Sequence, residues 1–147
     1  MNNKAAVLMD WHKDDAANIQ AQETIMGAKI AWCDTKSEKG RGVFALCDIG
    51  QGEVIEISPV VPVAATAIPE EGGAPDGYLL DWDEDTEGEE HCMPLGYIML
   101  YNHSKNPNMA LESDLGEYTI TAVASRDIKA GEELTWNYAC DLWFDEE

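Results

Sequence analysis

Positive charge is scarce in this chain: 9 Lys and Arg stand against 29 Asp and Glu, a formal charge of −20 at pH 7. Such a balance repels a phosphate backbone, so no direct nucleic-acid ligand is expected, and a basic protein or peptide is the partner this field would steer. The same surface also serves solubility, for example in a salty cytoplasm, and composition does not separate the two. Long apolar runs are absent as well. No window approaches eighteen consecutive apolar residues, and no charged segment followed by an apolar one opens the chain. The expectation is therefore a soluble, unexported protein with no membrane contact, cytoplasmic, or nuclear or host-nuclear in a eukaryotic or viral setting. Paired cysteines are missing too. Cys33, Cys47, Cys92 and Cys140 stand far apart, and zinc sites need local ligand pairs, so reduced thiols and no metal site are expected.

What is present suits one core. With 147 residues and 45% hydrophobic content, the chain reads as one domain between two short ends. Residues 1–27 have few breakers and scattered apolar positions, and read as a weakly helical extension. From Lys29 onward, short β-type runs are punctuated by Gly, Pro and Asp. Strands are expected at 30–33, 43–46, 54–57, 60–64, 78–82, 97–100, 109–112 and 118–123, which makes the domain mainly β with little helix outside the extension. Asp48-Ile49-Gly50-Gln51-Gly52-Glu53 and Asp127-Ile128-Lys129-Ala130-Gly131-Glu132 repeat one pattern. Each reads as a turn with Gly where positive φ is needed. Residues 58–77 are broken up by Pro and Gly around a central loop, and 81–90 hold seven carboxylates in ten residues. That second stretch is either a solvated loop or an attractive field for a Lys- or Arg-rich segment.

Three stretches carry chemistry. The first, Lys39-Gly40-Arg41-Gly42-Val43-Phe44-Ala45, has two glycines that let backbone amides approach a ligand, and it lacks the third Gly of a dinucleotide fingerprint. The second is Tyr101-Asn102-His103-Ser104-Lys105-Asn106-Pro107-Asn108. It follows the apolar run 95–100, expected to be a buried strand, and is either a binding site on a rigid scaffold or a turn whose side chains bond their own backbone. The third, Gly131-Glu132-Glu133-Leu134-Thr135-Trp136-Asn137-Tyr138, would bring a tyrosine hydroxyl to a defined place after a turn and a strand. No Gly-x-Ser-x-Gly elbow exists to suggest a hydrolase.

In this order and spacing, the three stretches resemble the signature motifs of SET-domain protein lysine methyltransferases. Gly40 to Ala45 is similar to the family's Gly-x-Gly-Val-Phe-Ala. Asn102, His103, Ser104, Pro107 and Asn108 match every defined position of Asn-His-Ser-x-x-Pro-Asn. Gly131 to Thr135 and Tyr138 match Gly-Glu-Glu-Leu-Thr-x-x-Tyr, and 77–81 is similar to a looser middle motif. The likeness is nearest to compact viral and bacterial members without zinc-binding flanks, with a SET domain at 28–143 and an acidic tail at 144–147.

The resemblance implies small β-sheets with the C-terminal segment threaded as a pseudoknot. It implies S-adenosylmethionine as cofactor, held by the Gly40, Arg41 and Gly42 backbone, the Asn102 side chain, the His103 backbone and Tyr138, with Trp143 as cover. A target lysine on a basic protein or peptide, histone-like or ribosomal, would enter from the opposite face past Tyr78, Tyr101 and Trp136, with Tyr101 either packed beside the motif or turning its hydroxyl to the channel. Tyr138 would be the catalytic residue. Trp136 stands where members often carry Phe or Tyr; it lacks the hydroxyl that limits transfer to one methyl, yet is bulky. The usual Tyr-x-Gly is absent near Val60. A homodimer in which a second subunit completes the site is a further expectation, and a SET-like module that binds peptide or cofactor without turnover is the alternative.

Overall fold

The computed structural model describes residues 29–68 and 76–138; the extension 1–27, Trp143 and the acidic tail lie outside these residues. Nine strands are described: β1 (Ile30–Asp34), β2 (Arg41–Ala45), β3 (Val54–Val63), β4 (Leu80–Asp81), β5 (His91–Pro94), β6 (Asn102–His103), β7 (Met109–Asp114), β8 (Thr119–Ala124) and β9 (Glu133–Trp136). They form a four-stranded sheet ordered β1-β2-β9-β6 and a five-stranded sheet ordered β4-β5-β3-β8-β7. Helix among the described residues is limited to three single 3₁₀ turns. The mainly β expectation holds.

Alternation explains most strands. β8 reads Thr-Ile-Thr-Ala-Val-Ala, and its Ile120, Ala122 and Ala124 are buried while the residues between them are half-buried. Val43 and Leu134, fully buried on neighbouring strands, are direct cross-strand partners at the centre of the smaller sheet. Cys92 packs at 0% exposure on β5, and burial pushes its thiol up to about 11, so it stays protonated.

Four expectations are corrected. The runs 54–57 and 60–64 are one strand, β3, which continues through Pro59 and Pro62, so the broken-up region begins later than composition suggested. Of 78–82 only Leu80–Asp81 pairs, and Asp76–Tyr78 is a 3₁₀ turn. β5 was not anticipated. The run 95–100 is not a buried strand: Leu95 is 58% exposed and Ile98–Leu100 is a 3₁₀ turn. The cause is tertiary, since the amides that would start a ladder there are taken by side chains of β3. Gly96 N–H donates to Ser58 Oγ at 2.7 Å and Tyr97 N–H to Glu56 Oε1 at 2.7 Å.

The repeated Asp-Ile-x-x-Gly-Glu turns embrace each other. Ile49 and Ile128 exchange backbone bonds of 2.9 and 2.8 Å. Asp48 Oδ1 accepts from Ala130 N–H at 3.0 Å, and Asp127 Oδ1 accepts from Gln51 N–H at 2.9 Å. Inside each turn the glutamate accepts from the third residue, Glu53 from Gly50 and Glu132 from Lys129. Gly52 and Gly131 sit at φ of 81° and 88°, where other residues are strained. One turn launches β3 and the other launches β9, so the pair sets how the two sheets meet.

Candidate active site

The last strand lies inside its sheet. β9 pairs antiparallel with β2 and parallel with β6, bringing Asn102 opposite Thr135 and His103 opposite Trp136. The three chemistry-bearing stretches thus become adjacent strands. Asn108, 2% exposed, stitches the junction with its side chain: Nδ2 donates to Glu133 O at 2.8 Å, and Oδ1 accepts from Thr135 N–H at 2.9 Å. An amide can do this because it carries donor and acceptor at backbone spacing. Ser104 Oγ accepts from Asn106 N–H at 3.1 Å and holds the turn between them.

Asn102 is oriented from two sides. Its Nδ2 donates to Arg41 O at 3.1 Å and to Glu133 Oε1 at 2.6 Å, which leaves Oδ1 as the acceptor for an incoming donor. Gly42 is required beneath it: a Cβ there would lie 2.5 Å from Glu133 Oε1 and 3.0 Å from Asn102 Nδ2. Gly40 has φ of 73° and open space around it. Beside these residues is a cleft of about 290 Å³ lined by Lys39, Gly40, Arg41, Tyr78, Met99, Leu100 and Asn102, near the lower end of small-molecule sites. It joins two cations, exposed backbone and an apolar wall, a set that suits a zwitterionic ligand with an apolar part.

Tyr138 follows β9 and turns back onto the 101–103 segment. Its hydroxyl donates to Tyr101 O at 2.8 Å, and its backbone N–H donates to His103 Nδ1 at 3.2 Å. The His103 ring meets its ring edge-on at 5.3 Å, and Trp136 lies 5.0 Å from it, tilted by 47°.

The expected site residues therefore divide. Gly40, Arg41 and Asn102 share the cleft; His103, Trp136 and Tyr138 form an aromatic cluster that begins at the residue after Asn102; Gly42 lies against Asn102 and Glu133. Tyr78, expected on the substrate side, stands 46% exposed in the cleft with the cofactor candidates. Tyr101 is a correction. It is 1% exposed and its hydroxyl points into the core, donating to Glu56 Oε2 at 2.6 Å, so it does not line a channel. Trp143 lies outside the described residues.

Glu56, Met99 and Leu100 stand outside the motifs, and Lys39 and Glu133, though inside them, carried no assigned role. Glu133 could have been found as the second acid of Gly-Glu-Glu. Glu56 could not, because its inward direction depends on a β-bulge in β3 that shifts the register between Val54 and Glu56 and buries both Ile55 and Glu56.

The SET domain family model matches residues 40–139, and the chain belongs to that family. It is 35% identical over 111 residues to the histone-lysine N-methyltransferase of Schizosaccharomyces pombe specific for H3 lysine-37, covering 74% of this chain and 73% of that protein. Among solved structures, a Plasmodium falciparum protein described as a candidate histone methyltransferase superposes with a TM-score of 0.59 at 30% identity. The match covers 78% of this chain and all of that one. Family and relatives support lysine methyltransferase activity.

Proposed function

We propose that the chain is an S-adenosylmethionine-dependent protein-lysine N-methyltransferase acting on a basic, histone-like segment. The observation that carries the reading is the junction of β6 and β9, which sets the oriented Asn102 amide next in sequence to His103, against which packs a tyrosine whose hydroxyl donates to Tyr101 O. The cleft's residues fit the cofactor: Asn102 Oδ1 is an acceptor for its ammonium group, the Gly40 to Gly42 backbone with Lys39 and Arg41 suits its carboxylate, and Tyr78, Met99 and Leu100 offer apolar cover. When bound, S-adenosylmethionine would supply a methyl group on a cationic sulfur: once the lysine ammonium has lost its proton to water, the amine lone pair would form the N–C bond as the C–S electron pair stays on sulfur.

The protein's task is preparation. A lysine with a pKa of about 10.4 is protonated at neutral pH and has no lone pair to attack with. Desolvation among Trp136, Tyr138 and His103 lowers that pKa, as does a neighbouring cation. Because Tyr138 spends its proton on Tyr101 O, its oxygen faces the reaction as an acceptor, able to orient the amine and to make weak C–H···O contacts with the methyl group. Alignment of the two reactants supplies the acceleration, without a strong acid or base.

The test is transfer of a labelled methyl group to a panel of basic proteins including histone H3, with Tyr138→Phe as control. Transfer abolished or strongly reduced by Tyr138→Phe is expected. Cofactor binding without transfer would favour a binding module, and absence of cofactor binding would overturn the reading. Transfer to a basic peptide should weaken as salt rises, mainly through KM; a flat salt response would remove the acidic surface from substrate capture.

A further inference from the structure

Glu56 is 0% exposed, and among the described residues no cation is paired with it. Taking a carboxylate out of water without a counter-charge is costly. Its two oxygens are spent on one short segment. Oε1 accepts from Tyr97 N–H at 2.7 Å and Oε2 accepts from the Tyr101 hydroxyl at 2.6 Å. Between these grips lies the 3₁₀ turn Ile98–Leu100, whose Met99 and Leu100 form a wall of the cleft. Beyond the second grip, the Tyr101 carbonyl receives the Tyr138 hydroxyl at 2.8 Å. Gly96 completes the fit, because a Cβ there would run into Glu56 Oε1 and lie 2.7 Å from Ser58 Oγ. A carboxylate offers two acceptor oxygens, one for a backbone amide and one for a phenol, and so can pin both ends of a turn at once.

We propose that Glu56 is a positioning residue for methyl transfer: by holding both ends of residues 97–101 it sets the Tyr101 carbonyl that directs the Tyr138 hydroxyl. The inference rests on the reading of Tyr138 as the catalytic tyrosine. Glu56 touches neither substrate nor cofactor. Its effect runs through two hydrogen bonds and one residue, so it should appear in turnover more than in binding.

The test uses Glu56→Gln, Tyr101→Phe and the double variant, with kcat and KM for both substrates measured well below the unfolding temperature. Each single substitution is expected to lower kcat roughly ten- to hundredfold, the range in which a misplaced reacting group costs rate, and to change either KM much less. The double variant should be no slower than the slower single, because both substitutions cut the same chain of contacts. A readout independent of turnover is the Tyr138 Cζ resonance in protein labelled at its tyrosines, assigned by its loss in Tyr138→Phe; it is expected to shift in both single variants. Wild-type kcat in folded variants, losses that multiply in the double, or an unmoved Tyr138 resonance would overturn the proposal. Should Glu56→Gln fail to fold, Tyr101→Phe carries both readouts. If the wild-type protein transfers no methyl group, the proposed function fails, while the resonance still decides whether Glu56 positions Tyr138.

Discussion

The paired Asp-Ile-x-x-Gly-Glu turns and the buried knot around Glu56 are both built on side chains that capture backbone amides, yet their surroundings differ. In the turns the capturing groups are exposed or half-buried, and three of the four are backed by cations: Asp48 lies 2.7 Å from Lys129 Nζ, Glu53 2.6 Å from Lys29 and Glu132 2.9 Å from Arg126. In the knot the carboxylate is dry and its partners are an amide and a phenol 41 and 45 residues away. Exposed clamps lose little when cut because water replaces the missing partner. A buried carboxylate that loses a partner keeps its desolvation cost. The turns should therefore tolerate change, and the knot should not.

The largest expected difference is between two glycines. Gly96→Ala drives a Cβ into Glu56 and Ser58 and should cost about 3 kcal/mol or more, as overpacking and displacement of a buried charge combine. Gly131→Ala meets nothing within 4 Å and suffers only its φ of 88°, which should cost about 1–2 kcal/mol. Urea denaturation measures both, and equal losses would break the comparison. Next comes Gly42→Ala, whose Cβ would stand 2.5 Å from Glu133 Oε1. Cofactor affinity measured by calorimetry should fall by about tenfold or more, with a smaller loss of stability than Gly96→Ala produces.

The dependence on pH has opposite signs in the two regions. Burial, opposed by the bonds from Tyr101 and Tyr97, raises the Glu56 carboxyl above its ordinary 4.5. Its contribution to stability is full below that value and is lost as pH rises through the folded-state pKa. Glu56→Gln should therefore gain on the wild type as pH rises towards neutrality. Asp48 is held below its ordinary 3.8 by the Lys129 ammonium first, and Glu132 below its ordinary 4.5 by Arg126 first. Their stabilisation is present above those values and is lost as pH falls through the depressed ones. Denaturation of both proteins across pH isolates Glu56, since the exposed carboxylates cancel in the difference. The smallest effect is expected for Asp127→Asn, since Asp127 has no ion pair among the described residues and the amide keeps an oxygen for Gln51 N–H. A loss comparable to that of Gly96→Ala would show that the turns are as intolerant as the knot.

The site was legible where the chemistry is local in sequence. Gly40, Gly42, Asn102 and Tyr138 stand in short motifs whose residue types announce close backbone approach, an amide and a terminal hydroxyl, and the repeated turns were visible as a repeated pattern. For Tyr101, packing beside the motif and a hydroxyl in the channel both stood open, because a tyrosine next to a motif does not reveal which way its hydroxyl falls; the structure buries it against Glu56. The run 95–100 was misread as a strand because nothing in it tells that Ser58 and Glu56 will take its amides.

By itself, then, the sequence determined a mainly β domain, the family and the motif residues proposed to hold cofactor and lysine, because strand periodicity and motif chemistry act over a few residues. Only the tertiary structure decided that β9 enters between β2 and β6, that the two turns clasp each other, and that Glu56 turns inward behind Tyr101. Those outcomes depend on register, on one bulge and on contacts between residues tens of positions apart, none of which any single stretch of chain encodes.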